Sequence, residues 1–89
     1  MYSLTLTTDE REAINWIGTR YATGHEFHKL LSACLENDQE WNEPGDITFS
    51  IPEHTAWAIV DLFEEEELLF PCFSLAFKEK LLSFMEKIV

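Results

Sequence analysis

Three neighbouring residues have types that could hold a metal ion: His25, Glu26 and His28. Histidines at positions i and i+3 of a helix can share a zinc ion, and a carboxylate can add a ligand. The spacing falls short of the His-Glu-x-x-His motif of zinc proteases, where the histidines are four residues apart. Both histidines also lie away from the apolar face that carries Phe27 and Leu31. We therefore predict no metal and no cofactor, with a small metal-dependent or thiol enzyme as the minor alternative.

The two cysteines, Cys34 and Cys72, indicate neither a disulfide nor nucleophilic catalysis. They form no Cys-x-x-Cys pair, and each lies among apolar residues, where free thiols are usually buried and unreactive. The three glycines are isolated, so no phosphate-binding loop is present. We predict free thiols in a reducing compartment, hence a cytoplasmic protein that is not an enzyme.

The strongest chemical signal is negative charge gathered in the middle of the chain. Seventeen acidic and six basic residues give a net charge of −11. No Lys or Arg lies between positions 30 and 77, which hold eleven of the acids, and the remaining six acids match the six bases. Such charge repels nucleic acid and anionic membranes and attracts basic surfaces. We therefore predict a basic protein partner, with no direct binding to nucleic acid or membranes.

These acids fall into two groups with different sequence contexts. Residues 37–46 form a polar stretch with a Pro-Gly pair, which predicts a loop long enough to be functional. The run at 64–67 lies near the end of a predicted helix, where carboxylates oppose the helix dipole and repel one another. That run is either a solvated turn or a binding surface, and Trp41 either anchors an interface or packs into the core. The predicted partner-binding residues are Asp38, Glu40, Trp41, Glu43, Asp46, Asp61, Glu64, Glu65 and Glu67.

Apolar periodicity predicts an α+β fold, mainly α, with two short strands and four amphipathic helices that position these residues. Polar–apolar alternation predicts strands at 3–7 and 47–50. Three Ser/Thr-x-x-Glu capping boxes, led by Thr7, Thr23 and Ser50, predict where the first three helices begin. The first two should end near Ala22 and Glu36. The fourth helix carries an apolar face made of Phe73, Phe77, Leu81, Phe84 and Ile88.

The chain also shows signs of an internal β-α-α duplication within a single domain, 1–89. Residues 4–17 align with 47–60 at an offset of 43, which places Thr5 on Thr48. The sequence Lys-Leu-Leu-Ser occurs at 29–32 and again at 80–83. The candidate units are 4–36 and 47–88, with their strands paired about a pseudo-twofold axis. Chance similarity between amphipathic segments is the alternative.

Size and charge favour a binding function. No apolar stretch reaches the roughly 20 residues of a membrane helix, and the N-terminus lacks the pattern of a signal peptide. Small inhibitors of bacterial defence nucleases, including anti-CRISPR and anti-restriction proteins, and nuclease immunity proteins have comparable size and charge. We predict a small acidic protein that docks on a nuclease, or another nucleic-acid-binding protein, and inhibits it by nucleic-acid mimicry. The alternative is an interaction or homodimerisation module whose exposed aromatics, such as Trp16, Trp41 or Phe70, form the interface.

Overall fold

The computed structural model describes residues 1–65 and 73–88, and for Asp38, Glu64 and Glu65 it describes the backbone alone. Its architecture is α+β and mainly helical, which confirms the predicted class. None of the helices in these two ranges is long and apolar enough to cross a membrane. The elements are β1 (Tyr2–Leu6), α1 (Thr8–Gly18), α2 (Ala22–Ser32), a 3-10 helix (Asp38–Asn42), β2 (Ile47–Ile51), α3 (Glu53–Glu65) and α4 (Leu75–Ile88).

The two strands pair antiparallel and present one apolar face to the helices. Leu4 lies opposite Phe49, and both side chains are buried. On the other face Thr5 lies opposite Thr48, and their hydroxyl groups form a 2.9 Å hydrogen bond. Because a two-stranded sheet is marginal by itself, its stability depends on the apolar residues of the helices that cover the inner face.

The order of elements repeats as β-α-α, β-α-α. Thr5 and Thr48 are the residues that the sequence offset of 43 equates, and they face each other across the sheet. A twofold axis through this pair would carry α1 onto positions 51–61, which overlap α3. The pairing of the two strands is therefore the one that the predicted pseudo-twofold axis requires. The internal duplication itself stays a prediction.

The capping box that begins α1 is confirmed. The Thr7 hydroxyl accepts a 3.2 Å hydrogen bond from the Glu10 amide, and the Glu10 carboxylate accepts a 2.8 Å bond from the Thr7 amide. The same carboxylate forms a 2.6 Å ion pair with Lys80 of α4, so one side chain caps a helix and joins two distant elements. The helix ends at Gly18, earlier than the predicted Ala22.

The capping box predicted for the second helix is wrong, because α2 begins at Ala22 with Tyr21 as the N-cap, and the Tyr21 side chain does not cap the helix. Packing sets this start. A Cβ atom on Gly24 would lie 2.6 Å from the carbonyl carbon and oxygen of Ile17, so the backbones of α1 and α2 touch at this glycine. The turn that allows such an approach places Thr23 inside the helix. The helix ends at Ser32, before the predicted Glu36.

The third capping box is also wrong. Ser50 pairs with Ser3 in the sheet and Ile51 pairs with Tyr2, so the chain stays extended until Pro52 and α3 starts at Glu53. The buried side chain of Ile51 explains why the strand continues. The predicted apolar face of the last helix is present: its four helical members are buried, and the fifth, Phe73, is buried just before the helix begins.

Candidate functional site

The acidic loop, defined as residues 37–46, is held against α1 and α2 in a defined conformation. Its start is fixed by Asn37, whose side-chain oxygen accepts a 3.0 Å hydrogen bond from the Gln39 amide and caps the 3-10 helix. Near its end Gly45 has a φ of 97°, a conformation that L-residues with side chains rarely adopt. The Gly45 amide donates a 3.0 Å hydrogen bond to the hydroxyl of Thr8 in α1.

Arg11 is the main anchor of this loop. Its side chain is buried, and Nη1 donates hydrogen bonds to the carbonyl oxygens of Trp41 (2.6 Å) and Glu43 (2.9 Å). Nη2 donates to the Gly45 carbonyl and the Thr8 hydroxyl, and Nε donates to the Thr7 carbonyl. These five bonds use all five N–H groups of a guanidinium. Three of the acceptors are carbonyl oxygens of the loop and two belong to Thr7 and Thr8, so the buried positive charge is fully hydrogen-bonded.

Trp41 packs into the core. Of the two alternatives for this residue, the interface anchor is therefore wrong and the core position is confirmed. Its side chain is 4% exposed. The indole nitrogen donates a 2.9 Å hydrogen bond to the side-chain oxygen of Asn15. The ring meets His28 edge-to-face, with centroids 4.5 Å apart, and lies 5.8 Å from Phe49. Trp41 thus joins the loop to α1, α2 and β2 and presents almost no surface to a partner.

The carboxylates around Trp41 remain on the surface. Glu43 and Asp46 are exposed and Glu40 is half-buried, so the structure brings these three predicted residues together on one anchored loop. Asp61 is also exposed, but it lies on a separate element, α3, whose inner face includes the buried Phe63. Asp38, Glu64 and Glu65 have described backbone only, and Glu67 lies outside the described residues.

The basic side chains of α1 and its following turn bind uncharged oxygens and an aromatic ring instead of these carboxylates. Arg11 binds carbonyl and hydroxyl oxygens, as described above. Arg20 lies over the ring of Trp16, with its guanidinium carbon 4.1 Å from the ring centroid, and donates to the Trp16 carbonyl at 3.1 Å. Neither Glu43 nor Asp46 forms an ion pair with any described Lys or Arg. The carboxylates of Glu43 and Asp46 therefore face solvent without a described cation partner.

The other candidate chemistry lies elsewhere in the fold. Among the described side chains, no group of three or more His, Cys, Asp and Glu residues is placed to hold a metal ion. His25 is exposed, and His28 is half-buried against Trp41. Cys34 is a half-buried thiol that donates to the Leu30 carbonyl at 3.4 Å, and burial raises its pKa. Cys72 lies outside the described residues.

Sequence reasoning missed Arg11, and a signal for it was present. Arg11 falls three residues before Ile14 and seven before Gly18, on the side of α1 that faces the rest of the protein. A charged residue at such a position must find partners on burial. Two of its acceptors, on Thr7 and Thr8, are local, but the three that belong to the acidic loop could not be predicted, because they lie 30 to 34 residues further along the chain.

Comparison with known proteins gave no relative: no family model, curated protein or solved structure matches the chain.

Proposed function

We propose that this chain is a small acidic binding protein that docks on the basic surface of a nuclease, or another nucleic-acid-binding protein, and inhibits it by occupying sites meant for phosphates. The docking surface is centred on Glu40, Glu43 and Asp46 of the acidic loop. The proposal assigns no catalytic step to the chain and places it in the cytoplasm, where such a partner would meet its nucleic acid.

The observation that carries the proposal is the anchoring of an acid-rich loop in which the described carboxylates, those of Glu40, Glu43 and Asp46, form no ion pair with a described Lys or Arg. A loop that is ordered before binding loses little conformational entropy when a partner binds. Arg11 and Trp41 supply that order from the inner side of the loop. The outer side presents Glu43 and Asp46 to solvent. The protein thus holds the backbone that carries these charges in place and leaves the carboxylates without a cation partner, as a mimic of a phosphate backbone requires.

The overall charge supports the same partner. Lys and Arg residues that contact phosphates dominate the affinity of nucleic-acid-binding proteins. A surface with unpaired carboxylates, on a chain of net charge −11, is attracted to such residues and approaches them faster at low salt. Competition with nucleic acid for those residues follows directly from this attraction.

The test compares two charge reversals of equal size in different elements. Glu43→Lys with Asp46→Lys reverses the acidic loop, whereas Glu79→Lys with Glu86→Lys reverses two exposed acids of α4. The wild-type chain is immobilised and used to capture partners from a host lysate. Duplex DNA is then added, and the release of the captured partners is measured. We expect capture to fall about ten-fold between about 50 and 500 mM salt, because exposed charges are then screened. We also expect capture to be lost in the loop variant and retained in the α4 variant.

Two results would contradict the proposal. One is capture that duplex DNA does not compete, because the partner would then bind through another surface. The other is an equal loss of capture in the two double variants, because binding would then depend on the net charge of the chain and not on the acidic loop. Circular dichroism of both variants checks that the fold survives.

An interaction or homodimerisation module is the second candidate, and one cluster favours it. Trp16 and Tyr21 are 41% and 45% exposed, their ring centroids are 6.4 Å apart, and Arg20 stacks on Trp16. Trp, Tyr and Arg are the residues that most often dominate binding energy at interfaces. Light scattering over a concentration series, with Trp16→Ala as the variant, tests this candidate. A mass that rises with concentration in the wild type alone would favour it.

A further inference from the structure

A cleft of about 650 Å³ lies between α1, α2 and the 3-10 helix. A second hollow of about 320 Å³ continues it toward the turn after α1, and the two share Asn15, His25 and His28 as lining residues. This size is within the range of pockets that hold small organic ligands. Neither the proposed docking surface nor the exposed cluster around Trp16 uses this space.

The lining of the cleft is opposite in character to the rest of the protein. Seventeen of the 89 residues are acidic, yet no carboxylate among the described side chains lines either hollow. Lys29 and the two histidines line the main cleft, together with groups that can donate hydrogen bonds, the amides of Asn15 and Asn42. The cleft therefore combines one positive side chain, Lys29, with several groups that can donate hydrogen bonds.

Several of these groups have hydrogen-bonding capacity to spare. The side chains of Lys29 and His25 are exposed and form no hydrogen bond or ion pair with another described side chain or backbone group. The side-chain oxygen of Asn15 is occupied by the indole N–H of Trp41, which leaves the amide nitrogen of Asn15 as a donor. The groups available in the cleft therefore suit a ligand that accepts hydrogen bonds and carries negative charge.

Rings supply the remaining wall of the cleft. His28 stands edge-to-face on Trp41, with centroids 4.5 Å apart, and its Nε2 lies 3.5 Å from the Ser32 hydroxyl, so its ring is held in place. Ala33 adds a small apolar side chain beside them. A flat aromatic body fits against such a wall, because aromatic rings prefer offset or edge contacts with other rings.

We propose that this cleft binds a small organic anion with a flat aromatic body. Its carboxylate or phosphate end lies at Lys29 and His25, where the Asn15 amide can also donate. Its ring system lies against His28 and Ala33, above the buried indole of Trp41. The acidic loop forms one wall of the cleft through Trp41 and Asn42, whereas the proposed docking surface uses Glu40, Glu43 and Asp46, so the two proposals use different side chains of the same loop.

The experiment titrates the isotopically labelled full chain with four probes and follows its amide and indole N–H signals by NMR. The probes are 2-naphthoate, 2-naphthyl phosphate, uncharged 2-naphthol and inorganic phosphate. We expect at least one of the two naphthyl anions to shift the signals of Lys29, His25 and the Trp41 indole. Uncharged 2-naphthol should bind about ten-fold more weakly, and inorganic phosphate should not bind measurably. The stronger of the two anions identifies the acid group that the site prefers.

Two variants with the same change in charge separate the site from the general field of the protein. Lys29→Gln should weaken binding of the preferred anion about ten-fold, whereas Lys87→Gln, which removes an exposed lysine of α4, should leave it unchanged. The proposal is overturned if neither anion shifts the cleft signals, if 2-naphthol binds as tightly as the anions, or if both variants weaken binding equally.

Discussion

Replacing Arg11 by Lys tests whether one buried guanidinium holds the acidic loop in place. Lysine keeps the positive charge but has three donors on a single nitrogen, whereas Arg11 uses five donors over three nitrogens. An ammonium cannot reach the carbonyl oxygens of Trp41, Glu43 and Gly45 together with the Thr7 carbonyl. At least two hydrogen bonds to a charged group are therefore lost.

The size of the effect follows from the burial of the acceptors. A hydrogen bond to a charged group contributes about 1.5–3 kcal/mol, and a neutral one about 0.5–1.5 kcal/mol. The carbonyl oxygen of the buried Trp41 has little access to replacement water, whereas those of the exposed Glu43 and Gly45 can be rehydrated. We expect Arg11→Lys to lower the free energy of unfolding by about 3 kcal/mol. For a domain of this size that corresponds to a decrease in Tm of about 15 °C.

Urea unfolding followed by far-UV circular dichroism measures this change, and hydrogen exchange of the Gly45 amide reports on the loop itself. Arg20→Lys is the matched control, because Arg20 is exposed and its contacts lie on the surface. We expect the control to change stability by no more than about 0.5 kcal/mol. The reasoning is refuted if the two variants have the same unfolding midpoint, or if Gly45 exchanges no faster in Arg11→Lys.

Three further predictions concern the fold. Gly24→Ala should destabilise the protein by about 1–3 kcal/mol, because the new methyl group meets the Ile17 backbone. In Gly18→Ala the new methyl group would have no neighbouring atom closer than 3.7 Å, so this control should be neutral or slightly stabilising in thermal melts. Thr7→Ala should lower the free energy of unfolding, measured in urea, by about 1 kcal/mol, because it removes a helix cap. Ser50→Ala should lower it less, because the Ser50 side chain lies in a strand and caps no helix. Equal losses would contradict this assignment of the caps. In a variant with Cys72 replaced by serine, the Cys34 thiol should react with iodoacetamide at pH 8 more slowly than free cysteine does. The reason is that burial raises the pKa of Cys34 and lowers its thiolate fraction. A rate equal to that of free cysteine would show that the thiol is not buried in solution.

The candidate site was predicted in part. The sequence predicted an acidic loop at 37–46; in the structure Glu40 lies in the 3-10 helix of that loop and Glu43 and Asp46 follow it on the surface, and their role in binding stays a prediction. It left two alternatives open for Trp41, and only the contacts with Asn15 and His28 decide between them. The cleft beside Lys29 was not predicted, because its walls come from three elements that periodicity cannot place relative to one another.

The sequence by itself determined the features that depend on residues a few positions apart. Apolar periodicity predicted two strands and four helices, and the Thr7–Glu10 spacing predicted a capping box that is present. The other two predicted boxes failed where a distant contact outweighed the local one. The packing of Gly24 against Ile17 sets the start of α2. The pairing of Ser50 with Ser3 keeps Ser50 in strand β2, so α3 begins only at Glu53.

Only the tertiary structure decided where the charges act. The sequence showed that bases are absent between positions 30 and 77, but the path of the chain determined that Arg11 would hold the acidic loop by its carbonyl groups. It also determined that Lys80 would pair with Glu10, 70 residues away. Hydrogen bonds and ion pairs act over a few ångströms in space, whatever the separation along the chain, so their partners become defined only when the packing of apolar faces brings distant residues together.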